Sequence, residues 1–140
     1  MILLASPLIA MNGEAAEAIA FYEQALEAKV VFKQTFGEIP DPKEPMSEGM
    51  KKRINHSVLK LGDAEMYVSD KLPGESHSVG NQVTVCLTVD TVDHAQRLFD
   101  GLKQGGEVQR PLQPIYFSPA YGIVTDKFGV TFYVFTKRPA

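Results

Sequence analysis

"HSVLKLGDAEMYVSD", residues 56–70, reads as two alternating strands that meet at Gly62-Asp63. A Gly-Asp pair between alternating runs marks a two-residue hairpin. If Leu61 pairs with Ala64, then Lys60 faces Glu65, Val58 faces Tyr67 and His56 faces Ser69. Successive strand side chains point to opposite faces, so Leu59, Leu61, Ala64, Met66 and Val68 share one apolar side. That side must lie beneath a helix. At about 1.5–3 kcal/mol per buried large aliphatic side chain, a slip of one residue is heavily penalised. The other side carries His56, Val58, Lys60, Glu65, Tyr67 and Ser69 and is semi-polar.

Upstream of the hairpin, Ala15, Ala18, Ile19, Tyr22, Ala25 and Leu26 recur at spacings of three and four, which predicts a core-facing helix over 14–28. Asn12 is its expected N-cap, with Glu14 and Glu17 at the positive end of the helix dipole. Downstream, Val92, Ala95, Leu98, Phe99 and Leu102 predict a second helix over 91–104, capped by Asp90 or Thr91 and stopped by Gly105-Gly106. A shift of 77 positions lays Ala15, Ala18, Tyr22 and Ala25 on Val92, Ala95, Phe99 and Leu102, and lays "SPLIAM" on "VTVCLTV". A shift of 66 lays Met66-Tyr67-Val68 on Phe132-Tyr133-Val134, inside "YGIVTDKFGVTFYVF" (121–135). A longer loop in the first half, "FGEIPDPKEPMSEGM" (36–50), absorbs the difference of 11.

Each half then reads strand, helix, strand, strand, strand. The expected spans are 2–10, 14–28, 29–36, 52–61 and 64–70, then 82–89, 91–104, 107–113, 115–125 and 130–136. The predicted fold class is α+β. Two βαβββ modules, 1–70 and 82–140 with a linker at 71–81, form cupped, mostly antiparallel sheets with helices on the outer face, in one domain. By the same alternation Phe132 and Val134 face the helix, while Tyr133 and Phe135 turn to the other side, as Tyr67 does. Two inward tyrosines combine stacking area with a polar tip, which suits a small, partly apolar ligand.

The chain is 140 residues long, 44% hydrophobic and 22% charged, which fits a globular domain with a core of its own. A net charge of −3 with only Lys51-Lys52-Arg53 as a basic cluster argues against a nucleic-acid surface. The lone Cys86 sits within "VTVCLTV" and is expected to be a small buried hydrophobe. "MILLASPLIAM" lacks a positive leader, is interrupted by Pro7 and is too short to span a bilayer, so no membrane is expected and cytoplasmic residence is the default.

With "NGEAAEAIAFYEQAL", "INHSVLKLGDAEMYVSD" and "YGIVTDKFGVTFYVF" in this order, the chain resembles the vicinal oxygen chelate superfamily, the glyoxalase/bleomycin-resistance/dioxygenase fold, and within it the PhnB-like subgroup. The resemblance spans nearly the whole chain and is specific for the fold. Some PhnB-like members carry a demethylubiquinone-methyltransferase label, but no Gly-rich nucleotide loop follows a parallel strand here. Metal-using members hold a divalent ion with His, Glu or Gln on the first and last strand of each module. Those positions fall on Pro7, Tyr67, Thr84 and Tyr133, so the expectation is no metal and no cofactor.

The residues expected to bind a ligand are His56, Tyr67, Thr84, Tyr116 and Tyr133. Each has a plain alternative: His56 as a wall histidine bonded to a neighbour, Thr84 as a strand former, Tyr116 as a ring packed beside Pro114 and Pro119. Glu65 reads as the cross-strand partner of Lys60, and Ser57 points away from His56, so no nucleophile triad arises. Two functions remain open: a metal-independent protein that sequesters or senses a small molecule, and a divalent-metal lyase, isomerase or dioxygenase acting on vicinal oxygens, with His56 and Glu65 as ligands. A third, purely structural role would bury the aromatic faces. The resemblance also implies a homodimer.

Overall fold

A computed structural model describes residues 1–40, 45–72 and 74–139. The chain divides into two compact units, Met1–His77 and Ser78–Ala140. The first contains β1 (Leu8–Met11), α1 (Ala15–Ala25), β2 (Lys29–Thr35), a 3-10 turn (Phe36–Glu38), α2 (Glu48–Lys51), β3 (Ile54–Leu61) and β4 (Ala64–Asp70). The second contains β5 (Val85–Val89), α3 (Val92–Leu102), β6 (Glu107–Ile115), β7 (Ser118–Thr125) and β8 (Thr131–Thr136). Strand order is β1-β4-β3-β2 in one sheet and β5-β8-β7-β6 in the other. In both, the first strand runs parallel to the last and the other pairs are antiparallel. The twice-used βαβββ plan is therefore present. The longer loop of the first half carries the 3-10 turn and α2, which bury Phe36 and Met50; its residues 41–44 lie outside the described residues.

The β3–β4 register is the one read from the hairpin: Leu61 opposite Ala64, Lys60 opposite Glu65 and Val58 opposite Tyr67. Gly62 supplies the left-handed backbone of the turn, at φ 57°. Leu59, Met66 and Val68 are fully buried against Ala15, Ala18, Ile19 and Tyr22 of the helical unit. In the second unit Val124, Phe132 and Val134 are fully buried, together with Ala95 and Leu102 of α3. Gly122 permits this packing, because a Cβ there would stand 2.8 Å from Phe99 Cε2 and 3.0 Å from Leu112 Cα. Each sheet also contains a buried serine spliced into its ladder. Ser57 Oγ donates to Val68 O and accepts from Val68 N, while Ser118 Oγ donates to Thr136 O (2.7 Å) and accepts from Thr136 N.

Helix ends depart from the sequence reading in an instructive way. Asn12 does not cap α1. Instead Asp70, at the end of β4, accepts from Gly13 N (2.8 Å) and Ala15 N (3.0 Å) through Oδ1, and from Ile54 N (2.9 Å) through Oδ2. A buried carboxylate thus serves the positive end of the helix and ties it to β3. The helix stops at Ala25 and not at 28, because Glu27 adopts φ 56° and Ala28 N returns to Tyr22 O. A left-handed residue thus ends the helix without the customary glycine, so no composition signal announced it. In α3 the cap is Thr91, whose hydroxyl accepts from His94 N at 3.1 Å, one of the two expected caps.

Both first strands are shorter than expected. Leu8, opposite Tyr67, opens β1; Pro7 before it has no N–H to give the ladder, although its carbonyl still accepts from Tyr67 N at 2.9 Å. Residues 2–7 therefore lie outside the strand, with Ile2 and Leu3 exposed. The strand β5 starts at Val85, opposite Phe132, and not at 82, and Val83 before it is exposed. Cys86 is exposed, contrary to the buried expectation: Val85, Leu87 and Val89 take the inner side, and alternation turns Cys86 and Thr88 outward. The modules are also not related by one shift. Met11 meets Asp70 and Val89 meets Thr136, so the first strands correspond at 78 (89 − 11), while the helices correspond at 77 (92 − 15).

Candidate functional site

The sheet face away from the helix carries a ring cluster in each unit. In the first unit, β3 places His56 on this face with Tyr67 of β4 and Phe32 of β2. The His56 ring centre lies 5.4 Å from that of Tyr67 and 5.9 Å from that of Phe32. Phe32 and Tyr67 flank Val58 in one row, and His56 stands two residues along β3 from that row on the same face. Gln34, opposite His56, is engaged by Asn55 Nδ2 at 2.9 Å.

The second unit builds a larger cluster. Tyr121 on β7 stands opposite Phe135 on β8, and Ile123 opposite Tyr133. The Tyr121 ring meets Phe117 edge-on at 5.0 Å and Tyr133 at 6.1 Å, while Phe117 and Phe135 lie nearly parallel, 20° apart at 6.0 Å. Edge and offset contacts at these separations are the favoured aromatic geometries. The Arg110 guanidinium on β6 stands 5.5 Å from the Tyr121 ring centre. Cys86 pairs with Tyr133 in the ladder. Burial first, and then the neighbouring Tyr133, pushes the Tyr121 phenol above its ordinary value; the Arg110 charge opposes this and Cys86 adds to it. At neutral pH Tyr121 therefore keeps its proton and is a hydrogen-bond donor.

Of the residues singled out in the sequence, His56 and Tyr67 touch each other, and Tyr133 belongs to the ring set of its own sheet. Tyr116 is 84% exposed in the β6–β7 turn and reaches the cluster only through the edge of Phe117, at 5.0 Å. Thr84 precedes β5, half-exposed and outside the ladder. Phe32, Phe117, Arg110 and Tyr121 were not among the residues expected to bind a ligand, and Tyr121 is the hub of its cluster. No sequence signal placed Phe32, because β2 and β3 are joined by a long loop and their register shifts between Val30 and Phe32.

The positions that the resemblance assigns to metal ligands do not fit a divalent ion. Tyr67 has Leu8 beside it and Tyr133 has Cys86, and among the described residues no group of three His, Cys, Asp or Glu converges. Neither does Ser57 offer a nucleophile, since its hydroxyl is committed to Val68.

The chain belongs to the Glyoxalase/Bleomycin resistance protein/Dioxygenase superfamily, whose family model matches residues 6–134. It is 31% identical over 132 residues to protein YjdN of Escherichia coli K12, with 89% of each chain covered. It is 30% identical to protein PA1353 of Pseudomonas aeruginosa, whose crystal structure superposes with a TM-score of 0.87 over 99% of this chain and 100% of that one. A PhnB protein from Bacillus cereus, provisionally described as a 3-demethylubiquinone-9 3-methyltransferase, shares the fold at 21% identity, with a TM-score of 0.77 over 94% and 98% of the two chains. Among the described residues no helix is long and apolar enough to cross a membrane.

Proposed function

We propose that this chain binds a small, planar, partly apolar molecule on its aromatic sheet faces, without a bound metal, and sequesters or senses it. The observation that carries the reading is the four-ring set Phe117, Tyr121, Tyr133 and Phe135 on the helix-free side of β7 and β8. Core packing does not call for it: the core of this unit is already filled from the other side by Phe132, Val134 and Val124. Half-exposed rings with phenol tips suit a ligand with an apolar body and a polar rim. Tyr67 with His56 offers a smaller surface of the same kind on the first sheet.

The test is calorimetric titration with 2-naphthalenemethanol, a neutral planar probe. Binding is expected in the wild type, and Tyr121→Leu is expected to weaken it at least about tenfold, the loss of one stacking contact at roughly 1.4 kcal/mol per decade. Undiminished affinity in Tyr121→Leu would remove the face from consideration. The competing reading, a divalent-metal lyase, isomerase or dioxygenase, predicts stoichiometric zinc, manganese or nickel in freshly purified protein, lost on His56→Ala. We further propose a homodimer. Light scattering at micromolar concentration should return twice the chain mass, and a monomer would refute it.

A further inference from the structure

One cation stands among the rings of the second sheet. Arg110 lies on β6, the edge strand of its sheet, paired with Ile123, and holds its guanidinium against the Tyr121 ring. Among the described residues no carboxylate or carbonyl takes its N–H groups. A guanidinium attracted to a ring by its charge retains a planar fork of donors, the geometry that matches a carboxylate bidentately. Beside it, the Tyr121 phenol stays protonated and supplies a further donor. The acidic groups of the same sheet sit at its other end. Glu107 opens β6 opposite Thr125, four residues or about 13 Å along β7 from Tyr121. Asp126 turns its Oδ1 to Phe128 N (2.9 Å) and Val130 N (3.0 Å) of the next turn. The chain carries a net charge of −3, yet the field felt by a ligand at the rings is set by charges within a Debye length, about 8 Å, where Arg110 is the cation in contact.

We infer that the ligand of the second sheet is a planar aromatic carboxylate, its ring laid on the Phe117, Tyr121, Tyr133 and Phe135 set and its anionic group taken by Arg110. This rests on the aromatic-face reading above and adds the charge. A neutral planar molecule would use the rings alone and leave the guanidinium to water.

The test compares 2-naphthoate with 2-naphthalenemethanol by calorimetry on the full chain at low and at physiological salt. Wild type is expected to bind the naphthoate at least tenfold more tightly, the preference shrinking as salt rises. Arg110→Gln should abolish that preference, the two probes then binding alike, and Arg110→Lys should restore part of it. Equal affinity of the wild type for both probes would overturn the charge assignment and leave the aromatic face standing. So would a naphthoate preference that survives Arg110→Gln, since the anion would then be taken elsewhere. If neither probe binds, the face itself is not a binding surface and both readings fall.

Discussion

Phe132→Ala is expected to lower the unfolding free energy by about 3–5 kcal/mol, while Tyr133→Ala, one residue further on, should cost no more than about 1.5 kcal/mol. Phe132 is fully buried beside Ala95 and Leu102 of α3, so its truncation opens a cavity the size of a phenyl ring. Tyr133 lies on the opposite face, half-exposed, with its ring edge toward Tyr121, and its loss leaves the core intact. Domains of this size are stable by about 5–15 kcal/mol, so the first substitution removes a large share and the second little. Urea unfolding of the two variants separates the cases. Equal losses, or a larger one for Tyr133→Ala, would mean that the strand is turned the other way and that the ring cluster is core.

Asp70→Ala should cost about 3 kcal/mol or more and lower the melting temperature by roughly 10 °C. Three backbone N–H groups, from Gly13, Ala15 and Ile54, lose one anionic acceptor, and the bonds of Ala15 and Ile54 are buried. Asp70→Asn retains one carbonyl oxygen but sets its NH2 group against a donor, so an intermediate loss of about 2 kcal/mol is expected. Thr136 stands at the equivalent position of the second unit, and its buried Oγ1 has no partner among the described residues. Thr136→Ala should therefore change stability by less than about 1 kcal/mol. Comparable losses at the two positions would show that burial of the site, and not the capping of α1, is what matters there.

The faces of the strands were legible because alternation is a strong signal where one side must be dry. Leu59, Met66, Val68, Phe132 and Val134 are all buried, and Tyr67 and Tyr133 are both on the helix-free side. Cys86 was misplaced for an opposite reason. Its residue type favours burial, but in "VTVCLTV" its place between Val85 and Leu87 puts it outside by alternation. The α1 cap was invisible because its partner lies 55 to 57 residues away, beyond any local motif, and the helix end was invisible because Glu27 occupies a place usually signalled by glycine. Of the ring cluster, Tyr133 could be read from the repeat. Phe117 and Arg110 enter through the β6–β7 pairing, whose register shifts between Val108 and Arg110, between Arg110 and Gln113 and between Gln113 and Ile115 cannot be counted from the sequence.

Helices α1 and α3 differ in when they can settle. Thr91 serves α3 from within three residues, so that helix can begin as soon as its own segment is present. The amino end of α1 waits for a side chain that arrives more than fifty residues later, and until β4 docks, Gly13 and Ala15 have only water to meet their donors. During synthesis the first unit should therefore remain loose until Asp70 leaves the ribosome, and then close in one step. In the finished protein the amides of Gly13, Ala15 and Ile54, remote from one another along the chain, should exchange with deuterium as a single group.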